Sequence, residues 1–245
     1  MNIHKKLTSQ DVALIICFTA LYVVLSFLSI SPIIGLPGKT ITAAAIIAPI
    51  MGIILGPYVG FLSTFSGGII GFFFGSFSQP SFVSGIVASL CAGLLFVGKR
   101  SLCAITYLSL LLAFGFFPLF GPVWLYPYSL WFQVAGFLLL VSPLQSLAIK
   151  NLNSGNDTKV LYAFFIISLT STLAGQIAGS TVFTILVSSV NTLKASWEFI
   201  TFLYPVERTI IAVSAAFIGM SLHKVLKSSN LKSFLNHANR QEKRP

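Results

Sequence analysis

Long apolar runs separated by short polar segments make up most of this chain. A helix needs about 20 mostly apolar residues to cross a bilayer, and fewer where the bilayer is thin. By that measure the pattern predicts eight spans, at roughly 11–30, 41–56, 58–75, 82–98, 101–120, 129–149, 160–190 and 205–226. The predicted fold is therefore all-α, a polytopic transmembrane helix bundle.

Prolines and glycines refine these boundaries. Pro49 and Pro57 divide the second run from the third. The run from 160 to 190 is longer than one crossing requires, so we expect it to tilt, to kink at Gly175 or Gly179, or to extend past the membrane.

Composition supports a membrane location. The chain is 56% hydrophobic and 8% charged, with a mean hydropathy of +0.92, whereas soluble domains carry about 25% charged residues. We assign residues 1–226 to the bundle and 227–245 to a basic tail that we expect to be disordered. Little length remains for a soluble catalytic domain, so any chemistry belongs to the bundle or to a partner.

The basic residues fix a predicted orientation. The net charge is +10, which could indicate nucleic-acid binding, but Lys and Arg cluster at span ends and in the tail. Cytoplasmic loops collect such residues, so topology is the better explanation. With eight crossings, His4 to Lys6, Lys99 to Arg100, Lys150 to Lys159 and the tail from Lys224 share one side. Both termini are therefore predicted to be cytoplasmic in a multi-pass protein of the cell membrane.

The stretch "GLPGKT" at 35–40 ends like a nucleotide-binding loop but is not one. Such a loop needs Gly-x4-Gly-Lys-Ser/Thr, and the position five residues before Gly38 holds Ile33. Lys39 therefore belongs to an outer segment, 31–40, broken by prolines and glycines. That segment is either a plain connector with an interfacial lysine or a gate over a substrate pocket.

Ionisable residues are missing from the mid-depth of every predicted span. Ion-coupled carriers usually keep such groups there, and a hydrolase needs a histidine or carboxylate to activate its nucleophile. The sequence therefore argues against ion-coupled transport and against an enzyme, and we predict no catalytic residue, no metal site and no cofactor. Small residues are prominent instead, in glycine stripes that suit close helix packing and at Ala13, Cys17 and Ala20 on one face of the first helix.

Several segments resemble the substrate-binding S components of energy-coupling factor (ECF) transporters. They are the first helix "DVALIICFTALYVVLSF", the loop "SPIIGLPGKTIT", the glycine-rich "IIAPIMGIILGPYVGFLSTFSGGIIGFF" and the last helix "YPVERTIIAVSAAFIGMSLHKVL". The resemblance is best over 9–77 and 196–226. It implies a subunit that captures a vitamin or related micronutrient for ATP-driven uptake, together with a transmembrane coupling subunit and two cytoplasmic ATPases.

The resemblance also implies sites. In that family a small-residue pattern on the first helix contacts the coupling subunit, which corresponds here to Ala13, Cys17 and Ala20, with a cysteine in place of the second alanine. The family commonly has six helices, so we expect an S-component-like six-helix core with an extra helix pair within 101–149. The pocket would open outward, and the candidate substrate-binding residues are Lys39, Trp124, Tyr128, Gln176, Asn191, Trp197, Glu198, Tyr204, Glu207 and Arg208.

Three alternatives remain open from the sequence. The chain could be a stand-alone secondary transporter or facilitator for a small organic solute, or a structural membrane scaffold. Metal uptake is a narrower rival, because related transporters of cobalt or nickel use histidines near the amino-terminus, and this chain offers only His4 there. The aromatic candidates for the pocket also have a simpler explanation, because Trp and Tyr serve as anchors at membrane interfaces.

Overall fold

A computed structural model describes residues 9–33, 35, 37–187 and 189–228. It is 82% helical, which confirms the all-α prediction. Most of the predicted tail, 229–245, and the basic segment around His4 lie outside the described residues, although the last helix continues to Ser228.

The elements follow one another along the chain in a simple order. They are α1 (Ser9–Ser26), β1 (Ser29–Pro32), β2 (Thr40–Thr42), α2 (Ala44–Phe73), α3 (Gln79–Phe96), α4 (Arg100–Gly115), α5 (Pro122–Leu125), a 3-10 turn (Pro127–Leu130), α6 (Trp131–Val141), α7 (Pro143–Asn151), α8 (Asp157–Leu186) and α9 (Val190–Ser228). Among the described residues, α1, α2, α3, α8 and α9 are long and apolar enough to cross a membrane. The α6–α7 pair, bent by 63°, is a sixth candidate, so the protein is a bundle of membrane-type helices, and eight crossings stay a prediction.

A sharp break divides α2 at the predicted boundary. Gly56 has φ 79° and ψ 178°, a conformation open to glycine but strained for other residues, and Pro57 cannot donate the helical hydrogen bond that would bridge it. A Cβ at Gly60 would lie 3.1 Å from Gly52 Cα, whereas eight residues of straight helix span about 12 Å. The two halves of α2 therefore pack against each other.

Helix α8 lies at the centre of the bundle. It runs without a break from Asp157 to Leu186, and most of its residues are buried. A Cβ at Gly175 or Gly179 would press on the backbone oxygens of Ser84 and Pro80 in α3. These glycines therefore allow close helix packing, and the kink that we considered at them is not found.

The segment 31–40 forms part of a small antiparallel hairpin. Strand β1 pairs with β2 in the register Ser29 with Thr42 and Pro32 with Thr40, and the two side-chain oxygens of Ser29 and Thr40 are 3.0 Å apart. At the turn, Gly35 has φ 84° and lies so close to the Phe183 ring that a Cβ would overlap it. The hairpin is thus held against the end of α8.

Helix α9 begins earlier than expected. We placed the last span at 205–226, with Pro205 in its first turn, but the helix begins at Val190 and Pro205 lies in its interior. Proline lacks the N–H that would bond the carbonyl four residues back, and the indole Nε1 of Trp131 donates to that freed carbonyl of Thr201 at 3.2 Å. This contact from another helix compensates for the missing bond, so the helix continues through the proline.

Candidate functional site

A cavity lies under the hairpin, at the end of the bundle where α8 meets α9. It contains about 680 Å³ of space not occupied by atoms, including the part open to solvent. Its walls come from the hairpin and from α1, α2, α3, α8 and α9, and are formed by Tyr22, Ile33, Ile41, Thr42, Ala45, Ala48, Phe77, Pro80, Ser81, Ser84, Gly85, Ala88, Thr172, Gln176, Gly179, Ser180, Phe183, Tyr204 and Arg208.

Gln176 supplies an acceptor to this cavity from the middle of α8. When the Gln133 amide is oriented to satisfy its neighbours, its Nε2 donates to the Ser129 carbonyl at 2.8 Å and its Oε1 accepts from Gln176 Nε2 at 3.2 Å. The contact fixes the Gln176 amide from the side away from the cavity. Gln176 Oε1 is buried without a hydrogen-bond partner, and such an acceptor is costly to leave unpaired.

Arg208 supplies the complementary donor from α9. Its side chain is buried and its Nη2 lies 2.8 Å from Glu207 Oε1. Its Nε has no hydrogen-bond partner, and the guanidinium lies 5.7 Å from the centre of the Tyr204 ring, within range of a cation–π interaction. The cavity thus contains a buried cation with unused hydrogen-bonding capacity.

Glu207 neutralises this cation without lining the cavity. Its other oxygen, Oε2, accepts from the hydroxyl of Ser31 in β1 at 3.0 Å. The carboxylate therefore connects the hairpin to α9, next to the cavity. A buried carboxylate is tolerated when it is paired and hydrogen-bonded in this way.

The predicted substrate residues divide into three groups. Gln176, Tyr204 and Arg208 line the cavity, and Glu207 lies beside it. Trp197 is buried beneath it, with its ring centre 5.7 Å from that of Phe183, a cavity residue. The remaining five are exposed and do not line it: Lys39, Trp124, Tyr128, Asn191 and Glu198.

Aromatic and hydroxyl residues of the walls were not predicted. Tyr22, Phe77 and Phe183 have no sequence feature that separates them from other aromatics of apolar helices. Ser81 and Ser84 lie near the start of α3. Ser78 caps this helix, because its Oγ accepts from the Ser81 N–H at 3.3 Å. That serine-rich start of α3 was a signal that could have been used.

The central region 101–149 contributes no cavity wall. Its helices α4, α6 and α7 pack against α8, and Tyr107 of α4 donates to the Gln133 carbonyl at 2.8 Å. The region acts on the cavity indirectly, because Gln133 holds Gln176.

The small-residue face of α1 points away from the bundle. Ala13, Cys17 and Ala20 are exposed, as is their neighbour Ile16. Tyr22, on the other face, is buried and stacks on Phe77 with ring centres 5.2 Å apart. The three residues are accessible to lipid or to another protein.

Comparison with known proteins finds no protein-family model, no curated protein and no solved structure that matches this chain. The resemblance to S components rests on the sequence segments quoted above.

Proposed function

We propose that this chain is a membrane-embedded subunit that captures a small vitamin-like solute for ATP-driven uptake. One observation carries the proposal: a cavity inside an apolar bundle is lined by Gln176 and Arg208, and each has a buried polar atom, Oε1 and Nε respectively, without a hydrogen-bond partner. Ligand sites combine mostly apolar walls with a few placed polar groups. A bound solute would satisfy both atoms.

The distribution of charge supports an outward-facing cavity. Lys99, Arg100, Lys150 and Lys159 lie at helix ends opposite the hairpin, and Lys224 joins them through its 2.6 Å contact with Asp157. Under the rule that cytoplasmic loops are rich in Lys and Arg, the hairpin faces the outside and both termini the cytoplasm. In this arrangement α2 crosses twice, once on each side of Gly56, and residues 100–151 form the pair added to a six-helix core.

The hairpin is suited to act as the lid of the cavity. Ile33 and Ile41 form part of the cavity wall, and Ser31 bonds Glu207 beside Arg208. A movement of the hairpin away from α9 and the end of α8 would widen the part of the cavity that is open to solvent. Lys39, exposed on this hairpin, would lie at the mouth.

Energy would come from a partner, through the exposed small face of α1. A coupling subunit with two ATPases would pack on Ala13, Cys17 and Ala20, where small side chains permit close helix approach. The competing function is a stand-alone secondary transporter or facilitator, which needs no such contact.

The experiment begins with the ligand itself. Full-length protein is purified from membranes, and small molecules released on denaturation are identified by mass spectrometry. The identified compound is then used to measure binding to purified protein and uptake by cells. Ala45→Phe, which places a ring in the cavity from a partly exposed position, should abolish binding. Recovery of no bound compound, from protein that remains folded, would contradict the capture function.

A second variant separates capture from coupling. Ala13→Trp should leave ligand binding unchanged and abolish uptake, whereas Ile105→Trp, a change at an already bulky exposed position on α4, is its control and should change neither. Uptake driven by an ion gradient in vesicles that contain only this chain would instead establish the stand-alone transporter.

A further inference from the structure

The chemistry of the cavity also specifies its occupant, on the premise of the proposed function. We propose that the ligand is an electrically neutral, planar ring compound with an amide-type edge, whose N–H pairs with Gln176 and whose C=O pairs with Arg208. Three features of the cavity support this choice: its unused hydrogen-bonding atoms, its charge balance and its aromatic lining.

The unused atoms are complementary in type. Gln176 Oε1 accepts a hydrogen bond and Arg208 Nε donates one, and both are buried without partners. The Gln176 amide cannot simply turn over, because its Nε2 already donates to Gln133 at 3.2 Å. The ligand must therefore present at least one donor and one acceptor, as an amide or lactam does.

Charge balance favours a neutral ligand. Arg208 is already compensated by Glu207, whose Oε1 lies 2.8 Å from its Nη2. A carboxylate or ammonium ligand would add a net charge to a site enclosed by apolar helices, where an unbalanced charge is strongly disfavoured. Ser31 also donates to Glu207 Oε2 at 3.0 Å, whereas Glu207 Oε1 lies within ion-pair distance of Arg208 but has no hydrogen-bond partner.

The aromatic lining of the cavity favours a ring compound. Aromatic side chains from four segments form part of its walls, namely Tyr22, Phe77, Phe183 and Tyr204. Tyr22 and Phe77 stack on each other, with ring centres 5.2 Å apart. A planar ring adds further stacked or edge-to-face contacts to such walls.

The test compares matched probes that share one ring. Purified full-length protein is equilibrated with nicotinamide (neutral amide), nicotinate (carboxylate) and 1-methylnicotinamide (cation), and with lumichrome as a larger neutral imide, up to millimolar concentration. We expect at least one neutral probe to bind about tenfold or more tightly than both charged ones, a difference of about 1.4 kcal/mol.

Substitutions test whether Gln176 and Arg208 bind the probe. Gln176→Leu should weaken binding of the neutral probe by about 5- to 150-fold, which corresponds to the loss of one buried hydrogen bond. Gln145→Leu is the matched control, because Gln145 is a buried glutamine with an unpartnered Nε2 that lies outside the cavity. It should leave probe affinity unchanged. If Gln176→Leu does not fold, the charge-balanced double variant Glu207→Gln with Arg208→Gln tests the same site.

Each outcome has a defined meaning. Preference for a neutral probe that depends on Gln176 supports the inference. If a charged probe binds as tightly as the neutral ones and Ala45→Phe blocks it, the inference is overturned while solute capture stands. If wild-type protein binds none of the neutral probes, the inference is likewise overturned, and the proposed function is judged separately by the mass spectrometry of released ligand.

Discussion

The strongest stability prediction concerns the Arg208–Glu207 pair, because both residues are buried. Replacing one residue leaves a single buried charge, whereas replacing both leaves none. Arg208→Gln leaves a buried carboxylate with a hydrogen bond only from Ser31. Breaking a buried ion pair from one side costs about 3–5 kcal/mol. At about 2–4 °C per kcal/mol for a chain of this size, we expect the melting temperature to fall by about 6–20 °C.

The other two members of the cycle complete the test. Glu207→Gln keeps a carbonyl oxygen that can accept from Arg208 and Ser31 but leaves a buried cation without a counter-charge, so we again expect a loss of about 3–5 kcal/mol. The double variant removes both charges, and replacement of a whole buried pair is often nearly neutral. The double variant should therefore be more stable than Arg208→Gln alone, which is a strong non-additivity of the kind seen for residues in contact.

Thermal unfolding in detergent, followed by tryptophan fluorescence, measures these effects. The chain has three tryptophans, and buried Trp197 contacts Phe183 of the cavity wall, so unfolding there changes the signal. Lys224→Gln provides the control, because its pair with Asp157 is exposed and should contribute less than about 1 kcal/mol. If Arg208→Gln is no more destabilising than Lys224→Gln, or if the double variant equals the sum of the singles, the description of a buried, mutually dependent pair is wrong.

Two further variants test the packing that positions the cavity. Gly52→Ala should destabilise the fold severely in the same melting assay, because its Cβ would overlap a backbone carbonyl oxygen of α3. Gly155→Ala, at a position with open space around it, is the control and should not. Equal melting temperatures of the two variants would refute the close approach of α2 and α3. Trp131→Phe should lower the free energy of unfolding by about 1 kcal/mol, because the Thr201 carbonyl loses its donor. Exposed Trp124→Phe is its control, and an equal effect of both would show that the bond contributes nothing.

Local features of the sequence predicted much of the architecture. The break after the second run was predicted from Pro49 and Pro57. It lies at Gly56 and Pro57, whereas Pro49 lies inside the helix; the backbone restrictions of glycine and proline act wherever the chain lies. The helix start of α9 was missed because Pro205 is typical of a first turn. Its interior position depends on Trp131, 70 residues away along the chain, and no local pattern reveals that donor.

The site was predicted only in part. Gln176, Tyr204 and Arg208 were identified because the resemblance to S components implies a pocket that opens outward beside the outer ends of the last helices. The aromatic walls were missed, since Tyr22 or Phe183 can face lipid, a helix partner or a cavity with equal ease. Trp124 and Tyr128 are aromatic as well, but they are exposed and do not line the cavity.

By itself, the sequence determined that this protein is a bundle of apolar helices, where its second and third runs separate and which ends of its helices carry positive charge. These properties depend on residue type and short-range geometry. Only the tertiary structure decided that Gln176 and Arg208 line one cavity, that Glu207 connects Arg208 to the hairpin and that α1 leaves its small face uncovered. Those relations depend on how helices rotate and pack against one another, which residues far apart in the chain settle together.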